Sequence, residues 1–119
     1  MTQLNNFKDK NVLITGADGF IGSYLTEEFV RQGANVTALV HSKNLKNLNY
    51  IKDKIKLVYT NLNDKELINE VIKSDANYIF HLAGFIQSDA YDNPNEILST
   101  NVIGTINIIE GALRLKKLE

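Results

Sequence analysis

Short apolar runs alternate with longer amphipathic stretches along the whole chain. A short apolar run bounded by polar or glycine positions is typical of a buried β-strand, whereas apolar residues at steps of three and four indicate a helix. The first pattern predicts strands at residues 11–15, 35–40, 55–60 and 77–84. The second pattern predicts helices at 19–33 and 63–74, a weaker short helix within 41–54, and a last helix that follows Asn93.

Capping residues mark where two of these helices begin. Asn63 precedes Glu66 by three positions, and Asn93 precedes Glu96 by three, with Pro94 at the first helical position. An N-cap side chain accepts a hydrogen bond from the backbone, and the glutamate of a capping box returns one. The last helix is expected to run to the C-terminus and to end among cations that suit its dipole, namely Arg114, Lys116 and Lys117.

The alternation of strands and helices predicts an α/β fold. Strands that are apolar at nearly every position are buried on both faces, and helices between them favour parallel pairing through right-handed crossovers. No linker, repeat or low-complexity segment divides the 119 residues. We therefore expect one domain over residues 1–119, built as a doubly wound parallel sheet of about four strands with flanking helices.

Composition narrows the classes of function. The formal net charge is −1, which gives no basis for binding nucleic acid or a membrane surface through bulk charge. The absence of cysteine excludes disulfides, thiolate chemistry and cysteine zinc sites, and it fits a reducing cytoplasm. No apolar run approaches the ~20 residues needed to span a bilayer. His41 has no second ligand at a suitable spacing, so no metal site is predicted.

Three regularly spaced glycines, Gly16, Gly19 and Gly22, connect the first strand to its helix. Such a turn lies at the carboxyl end of the sheet, where open α/β sheets bind ligands. Gly16 allows backbone angles that a side chain forbids, Gly19 lets the backbone approach a pyrophosphate, and Gly22 lets helix and strand pack closely. Asp18 is a candidate cap of the helix. The turn therefore predicts a dinucleotide site; the alternative is a tight turn without a ligand.

The residues after the second strand bear on which dinucleotide would bind. An acidic residue at this place holds the ribose hydroxyls of NAD. Here the sequence has His41, Ser42 and Lys43 instead. Lys43, and His41 when protonated, could contact a 2′-phosphate, so NADP is slightly favoured over NAD. The alternative is an ordinary polar loop.

Three segments together resemble one protein family. "TGADGFIGSYL" resembles its TGxxGFIG dinucleotide turn, "IFHLAG" its fourth-strand HLAA motif, and "NPNEILSTNVIGTINIIEGA" its helix reading "NP…TNVxGTxNxLEAA". The chain thus resembles the N-terminal part of the extended short-chain dehydrogenases/reductases, in the NAD-dependent epimerase/dehydratase family of nucleotide-sugar enzymes. The resemblance covers nearly the whole chain and implies a Rossmann-type fold.

The resemblance also implies roles for particular residues. It implies a pyrophosphate turn formed by Gly16, Gly19, Phe20, Ile21 and Gly22. It implies a segment running along the cofactor, made of Leu82, Ala83 and Gly84, where Gly84 replaces a more usual alanine. Asn61 and Leu62 fall where the family commonly has Asp-Leu against adenine; Asn61 is neutral and can still hydrogen-bond an amino group. Thr100 and Asn101 fall in the helix that supports the active site.

Other residues with chemical potential have competing interpretations. His81 is read as a structural histidine enclosed by the sheet rather than as a catalytic base. Ser88 and Asp89 follow the fourth strand and could reach a substrate, whereas Tyr91 is read as a loop residue. Gly104 and Gly111 are expected to permit close helix packing rather than to contact a ligand.

The family's reaction depends on a Ser/Thr, a Tyr and a Lys, the last two spaced Tyr-x-x-x-Lys. Only Tyr50 and Lys54 show that spacing here, and they precede the third strand, so we interpret the match as coincidence. No catalytic residue is therefore predicted in this chain. We expect a fragment of a larger enzyme that is inactive alone, with an unpaired fourth-strand edge and uncovered helix faces that favour self-association.

These observations leave a main hypothesis and alternatives. The main one is the cofactor-binding part of an NAD(P)-dependent epimerase or dehydratase whose substrate is a nucleotide sugar, with a 4,6-dehydratase as the narrower prediction. One alternative is a non-catalytic dinucleotide-binding or sensing module on the same fold. Another is a structural domain that binds no ligand.

Overall fold

The computed structural model describes residues 7–73, 75–85 and 93–119. Its strands are β1 (Asn11–Thr15), β2 (Asn35–Val40), β3 (Lys56–Tyr59) and β4 (Tyr78–His81). Its α-helices are α1 (Phe20–Arg31), α2 (Lys65–Val71), α3 (Pro94–Leu98) and α4 (Thr105–Ala112). A π-helical turn, Ser99–Gly104, joins α3 to α4, and a 3₁₀ turn, Lys52–Lys54, precedes β3.

The four strands form one parallel sheet in the order β3-β2-β1-β4. Ile14 of β1 lies opposite Ala38 of β2 on one side and opposite Phe80 of β4 on the other. The chain moves outward from β1 to β3 and then crosses back to place β4 on the far side of β1. This reversal of direction is the mark of a doubly wound sheet, and it confirms the predicted α/β fold.

Alternate residues of the central strands enter two separate cores. Val12 and Ile14 face α1 and pack with Phe29 in one cluster, whereas Leu13 faces the opposite side. There it joins a second cluster contributed by β2, α2, α4 and the segment after β3, namely Leu39, Leu62, Ile68, Ile72 and Ile108. Burial on both faces explains why the strands are apolar at nearly every position.

The α2 helix begins one residue later than predicted. Asp64, rather than Asn63, is its N-cap, and its carboxylate accepts a hydrogen bond from the Leu67 amide at 3.0 Å. The side chain of Asn61 accepts from the Asn63 amide at 3.0 Å, which holds Asn63 in the preceding turn. Such local side-chain bonds compete with the helix and shift its start.

The predicted short helix within 41–54 is also corrected. Apart from the 3₁₀ turn, this segment forms turns and irregular backbone. The Asn44 amide donates to Ser42 Oγ at 3.0 Å, and the Lys46 amide donates to Asn44 Oδ1 at 3.2 Å. These bonds offer the backbone an alternative to helical pairing. Leu48 nevertheless enters the first core, fully buried.

The last helical segment starts where it is predicted to start, but it is interrupted and ends earlier than predicted. Asn93 is its N-cap and accepts a hydrogen bond from the Glu96 amide at 3.4 Å, with Pro94 at the first position. The π-helical turn interrupts it, and α4 ends at Ala112, before the terminal cations. Lys117 pairs instead with Asp75 across the surface.

Apolar surface remains exposed on the outer side of this segment. In the described part of the chain, β4 pairs with β1 alone and forms one edge of the sheet. One set of side chains, each at least 44% exposed, follows helical spacing from the end of α3 through the π-helical turn to the residue after α4: Leu98, Val102, Ile106, Ile109 and Leu113. No helix in the described ranges combines the length and the apolar character required to cross a membrane. The predicted self-association stays a prediction.

Candidate functional site

A cavity of about 200 Å³, partly open to solvent, lies at the carboxyl ends of the strands. The topology places it there because the loops after all four parallel strands emerge at this edge. Its walls are built from the ends of the four strands and from the π-helical turn, through Thr15, Gly16, Asp18, Gly19, Leu39, Val40, His41, Thr60, Asn61, Leu62, Leu82, Ala83, Gly84, Phe85 and Thr100.

Gly16 forms the floor of the cavity at the end of β1. Its φ angle of +66° lies in the left-handed region, which side chains disfavour. A Cβ atom at this position would lie 2.7 Å from the Ala83 backbone nitrogen. Gly16 is therefore required both by its backbone conformation and by the close approach of the loop after β4.

Gly19 and Gly22 differ in what surrounds them. A Cβ atom on Gly22 would lie 2.0 Å from the Gly16 carbonyl oxygen, closer than any atoms can approach without moving the backbone. A Cβ atom on Gly19 would meet only that same oxygen within 4 Å, at 3.3 Å. Gly22 thus lets α1 pack against the turn and does not line the cavity, whereas Gly19 borders open space.

The start of α1 presents unused hydrogen-bond donors beside the cavity. In the described ranges, the backbone amides of Phe20, Ile21 and Gly22 have no acceptor, as the first turn of a helix leaves them. The side chains of Phe20 and Ile21 are 77% and 69% exposed and do not line the cavity. Any part these two residues have in binding therefore comes from their backbone.

The prediction that Asp18 caps α1 is wrong. The N-cap is Gly19, and no side chain makes a capping hydrogen bond. Asp18 lies in the cavity wall, and its backbone carbonyl accepts a hydrogen bond from Asn47 Nδ2 at 3.0 Å. Asn47 thereby ties the loop after β2 to the glycine turn.

Only one of the three residues predicted at the end of β2 lines the cavity. His41 does so, whereas Ser42 and Lys43 lie beyond the wall and are exposed. Ser42 Oγ accepts the Asn44 amide and shapes the turn. Among the described lining residues Asp18 is the one carboxylate, and it belongs to the glycine turn rather than to β2.

The segment after β3 also forms part of the cavity wall. Asn61 and Leu62 both line the cavity. The backbone carbonyl of Leu62 accepts a hydrogen bond from Asn107 Nδ2 at 2.8 Å, and Asn107 is buried in α4. Close packing at Gly104, where a Cβ atom would lie 2.7 Å from Leu62 Cβ, fixes the same wall.

Asn101 does not line the cavity but holds the loop that does. Its Oδ1 accepts from the Phe85 amide at 2.9 Å, and its Nδ2 donates to the Phe85 carbonyl at 3.1 Å. A Cβ atom on Gly84 would lie 3.2 Å from the same Oδ1, so glycine leaves room for this clamp. The π-helical turn presents Asn101 to the loop, and π turns commonly occur at functional sites.

His81, at the end of β4, is held between two threonine hydroxyls. Its Nδ1 lies 2.6 Å from Thr15 Oγ1, and its Nε2 lies 2.8 Å from Thr105 Oγ1. Burial lowers the pKa of His81 below its ordinary value of 6.5, because it penalises the charged ring. Both ring nitrogens are engaged within the protein, as the structural interpretation requires.

Tyr50, the tyrosine that is followed by a lysine four positions later, does not line the cavity. Tyr50 donates a hydrogen bond to Glu27 Oε2 at 2.5 Å, and this bond raises the pKa of Tyr50. A catalytic base needs the opposite shift. This geometry agrees with reading the spacing to Lys54 as coincidence. Ser88, Asp89 and Tyr91 lie outside the described residues.

Sequence reasoning missed several residues that build the site. Thr60 lines the cavity, while Thr15, Thr105 and Asn107 hold its walls through hydrogen bonds. The sequence pattern does indicate a role for Thr105 and Asn107, because polar residues that recur within an apolar helix usually have a buried partner. The partners themselves are distant in sequence and cannot be read from it.

Comparison with known proteins places this geometry in a family. A family model described as the NAD dependent epimerase/dehydratase family matches residues 12–118. The dTDP-glucose 4,6-dehydratase of Mycobacterium tuberculosis (strain CDC 1551 / Oshkosh) is 36% identical over 110 residues, which are 87% of this chain and 33% of that protein. The chain therefore spans about a third of the length of this curated relative.

Solved structures share the fold. The structure of epimerase Mth375 from Methanothermobacter thermautotrophicus matches with a TM-score of 0.84 at 32% identity, covering 94% of this chain and 34% of that one. The Bordetella bronchiseptica enzyme WbmF, solved in complex with NAD+ and UDP, matches with a TM-score of 0.85 at 22% identity, covering 98% and 36%. The second likeness shows the fold alone.

Proposed function

Because this chain belongs to the NAD dependent epimerase/dehydratase family, we propose that its cavity binds a nicotinamide dinucleotide. The observation that carries the proposal is the turn between β1 and α1. Gly16 and Gly22 bring the helix start to the cavity edge, and the amides of Phe20, Ile21 and Gly22 have no other acceptor in the described ranges. Amides and helix dipole together favour a pyrophosphate.

The remaining walls fit the rest of such a ligand. We assign Asn61 and Leu62 to the adenine and His41 to the ribose beside it, because all three line the cavity beyond β2 and β3. Leu82, Ala83 and Gly84 line the opposite side and leave space for the second ribose and the nicotinamide. Asn61 Oδ1 accepts the Asn63 amide through one lone pair, so its second lone pair and its NH₂ group are left for the base.

The proposed reaction class is that of the family. We propose that the chain is the cofactor-binding part of a nucleotide-sugar epimerase or dehydratase, with 4,6-dehydration as the narrower proposal, supported by its likeness to the mycobacterial dehydratase. When bound, the nicotinamide would accept a hydride from the sugar and return it. Tyr50 is the one tyrosine with a lysine four positions on, and its geometry does not suit a base, so we propose that this chain alone binds without turnover.

The first experiment is a calorimetric titration of the 119-residue chain with NAD and with NADP. Saturable binding of one dinucleotide to each chain is expected, while adenosine alone should bind more weakly because it lacks the pyrophosphate. No heat of binding from either dinucleotide at millimolar concentration would contradict the proposal and favour a domain without this ligand.

We also propose that NADP is preferred over NAD. The support is the lack of a carboxylate at the end of β2 and the exposed Lys43 two positions after His41. In Lys43→Asp, the ratio of NADP to NAD affinity should fall about tenfold, the size of one charge-assisted hydrogen bond. Lys46→Asp, which makes the same charge change in the same loop, is the matched control. An unchanged ratio in Lys43→Asp, or an equal fall in both variants, would contradict this assignment.

A further inference from the structure

The hydrogen bonds of His81 continue into a longer chain of contacts around the cavity. Thr15 Oγ1 accepts the backbone amides of Leu82 and Ala83, each at 3.1 Å. On the other side of the ring, Thr105 Oγ1 lies 2.6 Å from the backbone carbonyl of Asn101. The histidine therefore stands between the loop after β4 and the π-helical turn.

The position of one imidazole proton follows from Thr105. A carbonyl oxygen only accepts, so the hydroxyl of Thr105 must donate its single proton to Asn101. The Thr105 oxygen then has only lone pairs to offer His81. Nε2 of His81, 2.8 Å away, must carry the proton and donate it.

The contacts of Thr15 independently specify whether Nδ1, the other ring nitrogen of His81, carries a proton. The Thr15 hydroxyl oxygen has two lone pairs. The Ala83 amide uses one, and the Leu82 amide, which is shared with the Thr15 backbone carbonyl at 3.3 Å, uses the other. The Thr15 hydroxyl proton must therefore point to Nδ1 of His81, 2.6 Å away. Nδ1 is an acceptor and carries no proton, so the two threonines specify one tautomer from opposite sides.

We propose that His81 is a positioning residue: a neutral Nε2–H imidazole that locks the loop after β4 to the π-helical turn and so sets one wall of the cavity. Hydrogen bonds connect Asn101 to the loop after β4 along two routes. Asn101 holds Phe85 through its side chain and Ala83 through its carbonyl, by way of Thr105, His81 and Thr15. The loop at residues 82–85 is thus fixed at both ends.

The surroundings of His81 support the neutral form. Thr15 from β1 and Thr105 from α4 are its partners, and both are uncharged. Burial is the one cause that lowers the pKa of His81 among the described residues, and no charged group contributes to it. A second proton on Nδ1 would face Thr15 with no lone pair left to accept it.

The tautomer is tested by imidazole nitrogen NMR of the ligand-free chain labelled with ¹⁵N. The sequence has two histidines, and His41→Gln assigns their signals. We expect His81 to show a single Nε2–H tautomer that remains neutral as the pH falls below 6.5, the ordinary pKa of histidine. An Nδ1–H tautomer, a mixture of the two, or a charged ring at neutral pH would overturn the proposal.

The locking role is tested by amide hydrogen exchange in Thr105→Val and Thr105→Ser. Valine removes the hydroxyl at nearly the same volume, whereas serine keeps it. Exchange of the Ala83 and Phe85 amides should accelerate about tenfold in Thr105→Val relative to the Leu13 amide of β1, and Thr105→Ser should restore it. Equal acceleration of all three amides, or none at Ala83 and Phe85, would show that His81 only contributes to general stability.

The link to ligand binding rests on the proposed function and is measured separately. If the chain binds a dinucleotide, Thr105→Val should raise the dissociation constant several-fold, and Thr105→Ser should not. An unchanged dissociation constant in Thr105→Val would overturn the role in setting the cavity wall. Failure of the unsubstituted chain to bind would refute the proposed function, while the NMR and exchange results would still decide the role of His81.

Discussion

Replacing Gly22 with alanine should cost the chain at least about 3 kcal/mol of unfolding free energy, the upper end of the cost of overpacking. The new methyl group would lie 2.0 Å from the Gly16 carbonyl oxygen and 3.0 Å from Ala17 Cα, both backbone atoms. Gly16 has little room to move, because even a Cβ atom on it would lie 2.7 Å from the backbone nitrogen of Ala83. Urea unfolding followed by circular dichroism measures the loss.

Gly19→Ala is the matched control for this stability prediction. The same methyl group at Gly19 would meet the Gly16 oxygen at 3.3 Å, a distance that a small shift can accommodate. Because Gly19 is the N-cap of α1, where alanine is less favourable than glycine, we expect a loss of about 1 kcal/mol of unfolding free energy, well below that in Gly22→Ala. If Gly22→Ala unfolds at the same urea concentration as Gly19→Ala, the close approach of α1 to the glycine turn is wrong.

The second prediction concerns dinucleotide affinity, for which Gly19→Ala rather than Gly22→Ala is the informative variant. Gly19→Ala should weaken dinucleotide binding about tenfold or more while the fold is kept. Its methyl group would project into the cavity beside the free amides of Phe20 and Ile21, and it would hold a pyrophosphate away from them. Loss of one or two charge-assisted hydrogen bonds accounts for an effect of this size.

Calorimetry with NAD and NADP on folded Gly19→Ala measures this effect. A fall in affinity in a variant that remains folded places the ligand's phosphates at the glycine turn. Wild-type affinity in Gly19→Ala would contradict that placement, even if the chain still binds a dinucleotide elsewhere in the cavity. The two glycines thus separate a role in packing from a role in binding.

The sequence by itself determined the α/β fold and the place of the cavity. Apolar runs such as 11–15 and 35–40 became strands buried on both faces, because two-sided burial demands an apolar residue at nearly every position. The glycine spacing located the cavity edge, because backbone angles and close approach at Gly16 are local demands that only glycine meets. Both signals lie within a few residues of the structure that they specify.

Only the tertiary structure decided how the cavity walls are held. His81 contacts Thr15, 66 positions earlier, and Thr105, 24 positions later, so nothing near it in sequence reveals its partners. Asp18 was wrongly assigned as a cap because that choice depends on the backbone geometry of Gly19. Asn101 was placed in a supporting helix, but its contact with Phe85 arises only when the chain folds back over 16 positions. Long-range hydrogen bonds leave no periodic pattern, since each needs only one suitable residue at each end.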